Sequence, residues 1–378
     1  GSPWTSVGAA TSATRTGLAL ADGVTYYFTV RARNRAGMWG SSASSDGIMV
    51  DASAPSLPAV TDDGDYTSSA DTLHASWSAS DAHSGVGEYQ YCIGTTPGGT
   101  DLVSWTSVGA STSVTRSGLA LVNGATYYFG VRAANRAGVW SGAGVSDGIM
   151  VERTAPPPPT VVDDGAYTTS SSSLHATWTG TDPESGISEF QYAIGTTPGG
   201  TQTVGWTAVG SATSVTRSGL TLSDGVTYYF SVRARNRAGQ WGDPGTSDGI
   251  VVDASAPTTP SVTDDGLYTS SANTLHAVWT AADPHTAIAE YQYAIGTTPG
   301  ATNTVNWTST GSSAEVTRSG LVLLHGTTYY FAVKARNAAG LWSAVGVSNG
   351  ILVDHTGPAA PTVTDDGDYT ASATSLHA

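Results

Sequence analysis

Apolar and polar residues alternate along short stretches of this chain with a period of two. Tyr26, Phe28, Val30 and Ala32 share one face of an extended segment, and Tyr27, Thr29 and Arg31 share the other. Leu73, Ala75 and Trp77 alternate with His74 and Ser76, and Tyr89, Tyr91 and Ile93 alternate with Gln90 and Cys92. Successive side chains of a strand point to opposite faces, so this pattern predicts half-buried β-strands. Turn signals separate them at Asp22-Gly23, Ala36-Gly37, Asp63-Gly64 and Pro97-Gly98-Gly99. Cys92 falls on the polar side of its strand and is expected to face away from the core. About seven such strands per unit predict a two-sheet sandwich.

The pattern repeats along the chain. Trp4, Trp105, Trp206 and Trp307 stand 101 residues apart, as do Arg15, Arg116, Arg217 and Arg318, and Trp39, Trp140, Trp241 and Trp342. No insertion or deletion breaks the register. Solenoid units of about 20–50 residues lean on their neighbours for a core, whereas a unit twice that size can own one. The architecture expected is beads on a string. Complete units run over 54–154, 155–255 and 256–356; residues 1–53 carry the later strands of a preceding unit and 357–378 the first two strands of a following one. A half-sandwich exposes its core and its strand edges, which predicts that the chain is a window on a longer array.

The run Leu20, Tyr26, Phe28, Val30, Ala32, Asn34 and Gly37 closely resembles the signature of two consecutive strands in fibronectin type III domains. Trp77 resembles that family's core tryptophan, and Tyr89 and Tyr91 its mid-sheet tyrosines; the set recurs as Trp178, Phe190, Tyr192 and Tyr228, and as Trp279, Tyr291, Tyr293 and Tyr329. The resemblance covers nearly the whole chain. It implies an all-β fold of tandem seven-stranded Greek-key sandwiches of fibronectin type III or immunoglobulin-like kind. It further implies that Trp77, Trp178 and Trp279 are core residues. Tyr26, Tyr127, Tyr228 and Tyr329 would be corner tyrosines, each hydroxyl bonding back to the loop before it. Such sandwiches host many unrelated roles, so the likeness is specific for fold and nearly silent on activity.

Charge narrows the partners. The chain carries 15 basic and 30 acidic residues, a net charge of −15, with Lys334 its single lysine. A nucleic-acid binder needs a basic footprint to release counterions, and none is present. Contact with an anionic membrane surface is disfavoured for the same reason. Cys92 is the one cysteine, so no intrachain disulfide forms. Prolines crowd the junctions (Pro55 and Pro58, Pro156 to Pro159, Pro257 and Pro260, Pro358 and Pro361), which predicts semi-rigid extended links. At about 3.3 Å per residue a ten-residue strand gives a unit roughly 33 Å long, and three units a rod on the order of 100 Å.

Candidate chemistry is sparse. The acidic turns Asp62-Asp63, Asp163-Asp164 and Asp264-Asp265 each precede a glycine. Paired carboxylates of this kind could hold Ca²⁺, the one candidate cofactor, but the full EF-hand spacing is absent and the plainer reading is an Asx turn with a solvated acidic surface. A second reading uses Asp163 and Asp164 as partners for Arg136 and Arg237 across a joint, setting its geometry rather than its stability. Arg31, Arg33 and Trp39 suggest cation–π stacking. His74, His175, His276 and His377 are too far apart to share a metal and read as surface histidines. The loop Asp81-Ala82-His83-Ser84-Gly85 gathers triad residue types, but one loop cannot scaffold a nucleophile, its base and an orienting group. No catalytic constellation emerges, so the chain is expected not to be an enzyme. The function expected is a structural repeat segment of an extracellular fibre, filament or cell-surface stalk or adhesin. Its partners would be the neighbouring domains and copies of itself in a filament. The alternative is a spacer or carbohydrate- or protein-binding accessory array of a secreted multidomain enzyme, using Tyr27, Tyr128, Tyr229 and Tyr330 or Trp4-type residues.

Overall fold

A computed structural model of the chain describes residues 3–378. Among the described residues every regular element is a β-strand. Residues 1–53 hold four short pieces, β1 (Thr25–Tyr26), β2 (Thr29–Val30), β3 (Ala43–Ser44) and β4 (Ile48–Met49). The first complete repeat follows as β5 (Ala59–Asp62), β6 (Tyr66–Thr67), β7 (Leu73–Ser78), β8 (Val86–Gly94), β9 (Val103–Gly109), β10 (Ser113–Arg116), β11 (Thr126–Asn135), β12 (Gly144–Val145) and β13 (Ile149–Val151).

Two sheets form. One has the order β10-β7-β5, the other β6-β13-β11-β8-β9 with β12 also on β11. The seven expected strands are therefore present, with the first and last each broken in two. The first strand leaves the small sheet after Asp62 and rejoins the chain on the large one, where β6 pairs β13 in parallel through Tyr66↔Met150 and Thr67↔Val151. The same two sheets recur in the next two repeats.

The sheets close on the alternating apolar set. Trp77, Tyr89, Tyr91, Phe129, Val131, Ile149 and Val151 form one buried cluster. Trp77 lies 6.1 Å from Tyr89 and 6.4 Å from Tyr91, and Tyr91 lies 6.3 Å from Phe129, centroid to centroid. Trp178 and Trp279 are buried likewise, with Phe190 and Tyr291 against them. Aromatic side chains of this size dominate the burial energy of a small sandwich, at about 1.5–3 kcal/mol each. In residues 1–53 the corresponding positions are open, with Phe28 half exposed where Phe129 is fully buried.

Polar side chains close the places where the ladder stops. The Val122 N–H donates to the Tyr127 hydroxyl at 3.0 Å, Ser223 N–H to Tyr228 at 2.9 Å, and Leu324 N–H to Tyr329 at 3.1 Å. The Ser146 hydroxyl accepts from the Phe129 N–H at 3.1 Å opposite the break in the last strand, as Ser247 and Ser348 do in their repeats. At that break Gly148 has φ of 100°, and a Cβ there would sit 2.4 Å from the Tyr128 ring. Only glycine supplies both the backbone conformation and the space.

Cys92 lies outside the aromatic core cluster, on the opposite face of its strand from Tyr91 and Ile93, as the alternation predicts. That face is not open there: Cys92 is fully buried, and burial pushes its thiol pKa up, which makes it inert rather than reactive. At this position the outer face of the large sheet is covered, with the Trp105 ring and Gly98 beside Gly130. Cys92 stands opposite Gly130, where a Cβ would lie 2.7 Å from its Sγ. In the last repeat the equivalent pair is Ala294 and Ala332. The larger residue on one strand is matched by the smaller one on its neighbour.

The contacts divide the chain into two compact units, one of Gly1–Pro157, Gly180–Glu189 and Ala234–Asp243, the other of Pro158–Thr179, Phe190–Arg233 and Pro244–Ala378. This division does not follow the 101-residue period. Two loops of the repeat that starts near residue 155 group with the strands of the repeat before them.

Gly130→Ala is expected to destabilise its repeat by about 1–3 kcal/mol through overpacking, and adding Cys92→Ala should restore most of the loss. Native-state hydrogen exchange of the β8 and β11 amides measures both. Tyr228→Phe removes the acceptor of the Ser223 N–H and should cost about 0.5–1.5 kcal/mol, read as a lowered denaturation midpoint.

Candidate functional site

The densest polar constellation in each repeat lies where the repeat begins. It is built from the loop after β7, the turn after β11 and the end of the preceding repeat's last strand. The loop Asp81–Gly85 is an Asx turn: Asp81 Oδ1 accepts from the N–H groups of His83, Ser84 and Gly85 at 3.2, 3.1 and 2.9 Å. That leaves the Ser84 N–H and hydroxyl aimed at Asp51, which accepts both on Oδ2, the N–H at 3.0 Å. Across the same joint His83 Nε2 pairs with Asp22 at 3.6 Å. Asp22 also accepts from the Ser53 hydroxyl and from the Ala52 N–H at 2.7 Å.

Asn135 fastens this loop to the linker. Its Oδ1 accepts from the Val139 N–H at 2.8 Å and closes its own turn, while its Nδ2 donates to the Ser53 carbonyl at 2.8 Å. The same donation recurs from Asn236 to Thr154 at 2.9 Å and from Asn337 to Ser255 at 3.0 Å. Asn337 donates in addition to Asp253 at 2.9 Å and Asp283 at 3.1 Å. All three asparagines are buried, so each bond is made out of water, where an unmade one would be costly.

Electrostatics distinguish the three joints. At the joint before residue 155 the roles are recast: Asn123 stands where Asp22 and Asp224 stand, Glu152 where Asp51 and Asp253 stand, and Glu184 where His83 and His285 stand. Asn123 accepts from the Arg153 N–H at 2.6 Å and donates to the Thr154 hydroxyl at 2.8 Å. In the joint before 256, Asp224 pairs with His285 at 3.3 Å and accepts from the Ala254 N–H at 2.8 Å. Hydrogen bonds from Ser255 and Ala254, with the nearby His285, hold the Asp224 carboxyl below the usual carboxylate range; Ser53, Ala52 and His83 do the same for Asp22. Glu152 moves the other way: burial raises its pKa, and the neighbouring Asp182 and Glu184 add to the rise.

The residues singled out from sequence have other duties. Asp62 accepts from the N–H groups of Gly64 and Gly148, both at 3.3 Å, and so ties the turn to the last strand. Asp163 does this with Gly165 and Gly249, and Asp264 with Gly350. Asp63, Asp164 and Asp265 each pair with a histidine, His74, His175 and His276, at 2.7 Å. A calcium ion at these turns would have to displace those partners. The pairing of Asp163 or Asp164 with Arg237 across a joint needs correcting. Both aspartates belong to the same repeat as Arg237, and both are engaged locally. Arg136 and Arg237 serve through their backbone, donating to the carbonyls of Gly85 and Gly186 at 3.1 Å. The joint residues that sequence reasoning missed are Asn135, Asn236 and Asn337, with Ser84, Ser185 and Thr286. Their signal was recurrence of Asn and of a hydroxyl at the period. The Asp-His-Ser loop set aside as a triad is a structural joint.

Aromatic residues form a second recurring feature. Arg132 lies between Trp105 and Trp140 at 4.6 and 4.8 Å, Arg31 between Trp4 and Trp39 at 4.4 and 4.5 Å, and Lys334 between Trp307 and Trp342 at 4.7 and 4.6 Å. Gln90 Oε1 accepts from the Arg132 guanidinium at 2.7 Å and fixes its plane. Each contact contributes about 0.5–1 kcal/mol and shields the outer face of the large sheet. The tryptophans proposed as ligand-binding faces are thus stacked within their own repeats.

No family model matches the chain, and no curated protein matches it. Solved structures do. The FN1-FN3 domains of chicken CNTN1 are 18% identical, with 79% of this chain and 97% of that one covered, at a TM-score of 0.29. Consecutive domains of titin are 17% identical, with 78% and 98% covered, at a TM-score of 0.36. The fibronectin(III)-like modules of Clostridium thermocellum CbhA are 13% identical, with 52% and 94% covered, at 0.30. Strand order within the repeat, the split first strand and the corner tyrosine together make these repeats fibronectin type III-like β-sandwiches.

Proposed function

We propose that this chain is a structural, non-catalytic repeat segment of an extracellular fibre, filament or cell-surface stalk. The observation that carries the reading is the recurrence, at three joints, of an asparagine side chain donating to the linker carbonyl of the repeat before it. A segment whose polar side chains are spent on fastening one repeat to the next is suited to holding distance. The stacked Trp–cation–Trp groups favour this over an accessory sugar-binding array that uses those tryptophans, since each ring is already engaged by a cation of its own repeat. Its partners are the neighbouring repeats and, in a filament, copies of itself; its place is the cell surface or beyond it.

Antibodies against residues 54–356 should label the outside of intact cells or particles of the source organism at regular intervals along a projecting structure. Label found only after lysis would overturn the reading.

Asn337→Ala removes the side-chain donor to the Ser255 carbonyl and one donor each from the Asp253 and Asp283 carboxylates. It should cost about 1.5–3 kcal/mol locally, seen as faster hydrogen exchange at 253–258 with the core strands unchanged. The joint at Asp224 should be pH-dependent in a defined direction. Its carboxyl is held low in the folded state, so the stabilisation is complete above the ordinary carboxylate range and is lost as pH falls through the lowered value. Exchange at Ala254 and Ser255 against pH measures this, and Asp224→Asn should flatten the profile.

A further inference from the structure

We propose that the joint around Glu152 is a calcium site, one per chain over these residues, with Glu152, Asp182 and Glu184 as its protein ligands. A carboxylate oxygen from each lies within 4.8 Å of the other two. Three oxygens no more than 4.8 Å apart share a centre within about 2.8 Å of each, so a side-chain adjustment of a few tenths of an ångström brings all three to the 2.3–2.6 Å of Ca²⁺–oxygen bonds.

The second observation is Glu152 itself. The side chain is 0% exposed, and neither carboxylate oxygen is held by a well-formed hydrogen bond, the donors near it being the Ser185 hydroxyl and the Thr154 N–H. The nearby Ser185 hydroxyl donates to Asp182 Oδ1 instead, at 3.2 Å. A buried carboxylate with no well-formed hydrogen bond is strongly unfavourable unless it is neutralised by a proton or a cation. Two further carboxylates beside it make neutralisation by a cation the better match.

The neighbouring joints show what the middle one lacks. There the equivalent carboxylates, Asp51 and Asp253, accept from the Ser84 and Thr286 hydroxyls. There too the position of Glu184 is filled by His83 or His285, each paired with an aspartate. In the middle joint that aspartate is Asn123 and the histidine is Glu184. The two changes remove an imidazole–carboxylate pair and place a third carboxylate against a buried one. The longer side chain of Glu152 carries its charge one methylene further from the backbone than Asp51 or Asp253 does. With oxygen donors only, and no His or Cys in the set, the site suits a hard cation; three carboxylates of mixed exposure suit the variable geometry of calcium better than the strict octahedron of magnesium.

The test uses the full chain stripped of metal by a chelator and dialysed at neutral pH. Isothermal titration with CaCl₂ should give one site, and the melting temperature should climb with free calcium as linkage requires. Glu184→His, which installs the residue of the other joints, and Glu152→Gln should each weaken binding at least tenfold, with near-ultraviolet circular dichroism of the tryptophans reporting that the fold is intact. Asp164→Asn, at an acidic turn, should leave binding unchanged. Absence of heat and of any melting shift at millimolar calcium would overturn the proposal. Binding that survives Glu152→Gln and Glu184→His, or that disappears in Asp164→Asn, would place the ion elsewhere and overturn it too. Magnesium competing as well as calcium would overturn the assignment of the metal.

Discussion

A single buried asparagine per repeat sets the terms for the rest of the molecule. Its carbonyl oxygen closes the turn after the longest strand, and its amide nitrogen reaches back to the linker carbonyl of the repeat before. The turn and the joint therefore cannot move independently, since both are tied to one planar amide. Burial makes the arrangement selective: an alternative joint would leave a donor or a carbonyl dry and unpaired.

Around that clamp the joints share a frame and differ in charge. The outer two combine carboxylates, hydroxyls and an imidazole into a hydrogen-bonded set. The middle one concentrates three carboxylates around a buried Glu152. Repetition of the sandwich core is conservative, with Trp, Tyr and Phe at the same places. The joints can vary in charge because a polar joint can exchange one neutralising group for another, whereas core packing penalises volume change at every site.

Much of the fold was legible in the linear pattern. Alternation in Leu73–Trp77 and Tyr89–Ile93 marked strands, and recurrence of Trp77, Tyr127 and their counterparts marked one core per repeat. The side of Cys92 was legible and its burial was not, because alternation separates two faces without saying whether the second face meets water. Here that face is covered, and Gly130 makes room for the thiol. The joint was less legible. Asp62 and Asp63 drew attention as acids, yet their partners are a turn glycine, the glycine at the break in the last strand and a histidine of their own repeat.

Sequence by itself determined the all-β class, the 101-residue period and the aromatic core, since these follow from local periodicity and repetition. It could also exclude a nucleic-acid footprint from charge alone. Only the tertiary structure decided which polar residues meet. Asp22 and His83, Asp51 and Ser84, or Glu152 and Asp182 are distant along the chain, and their types are common on any acidic surface. What distinguishes them is burial at the end of one sandwich against the next, where losing water makes each missing partner count.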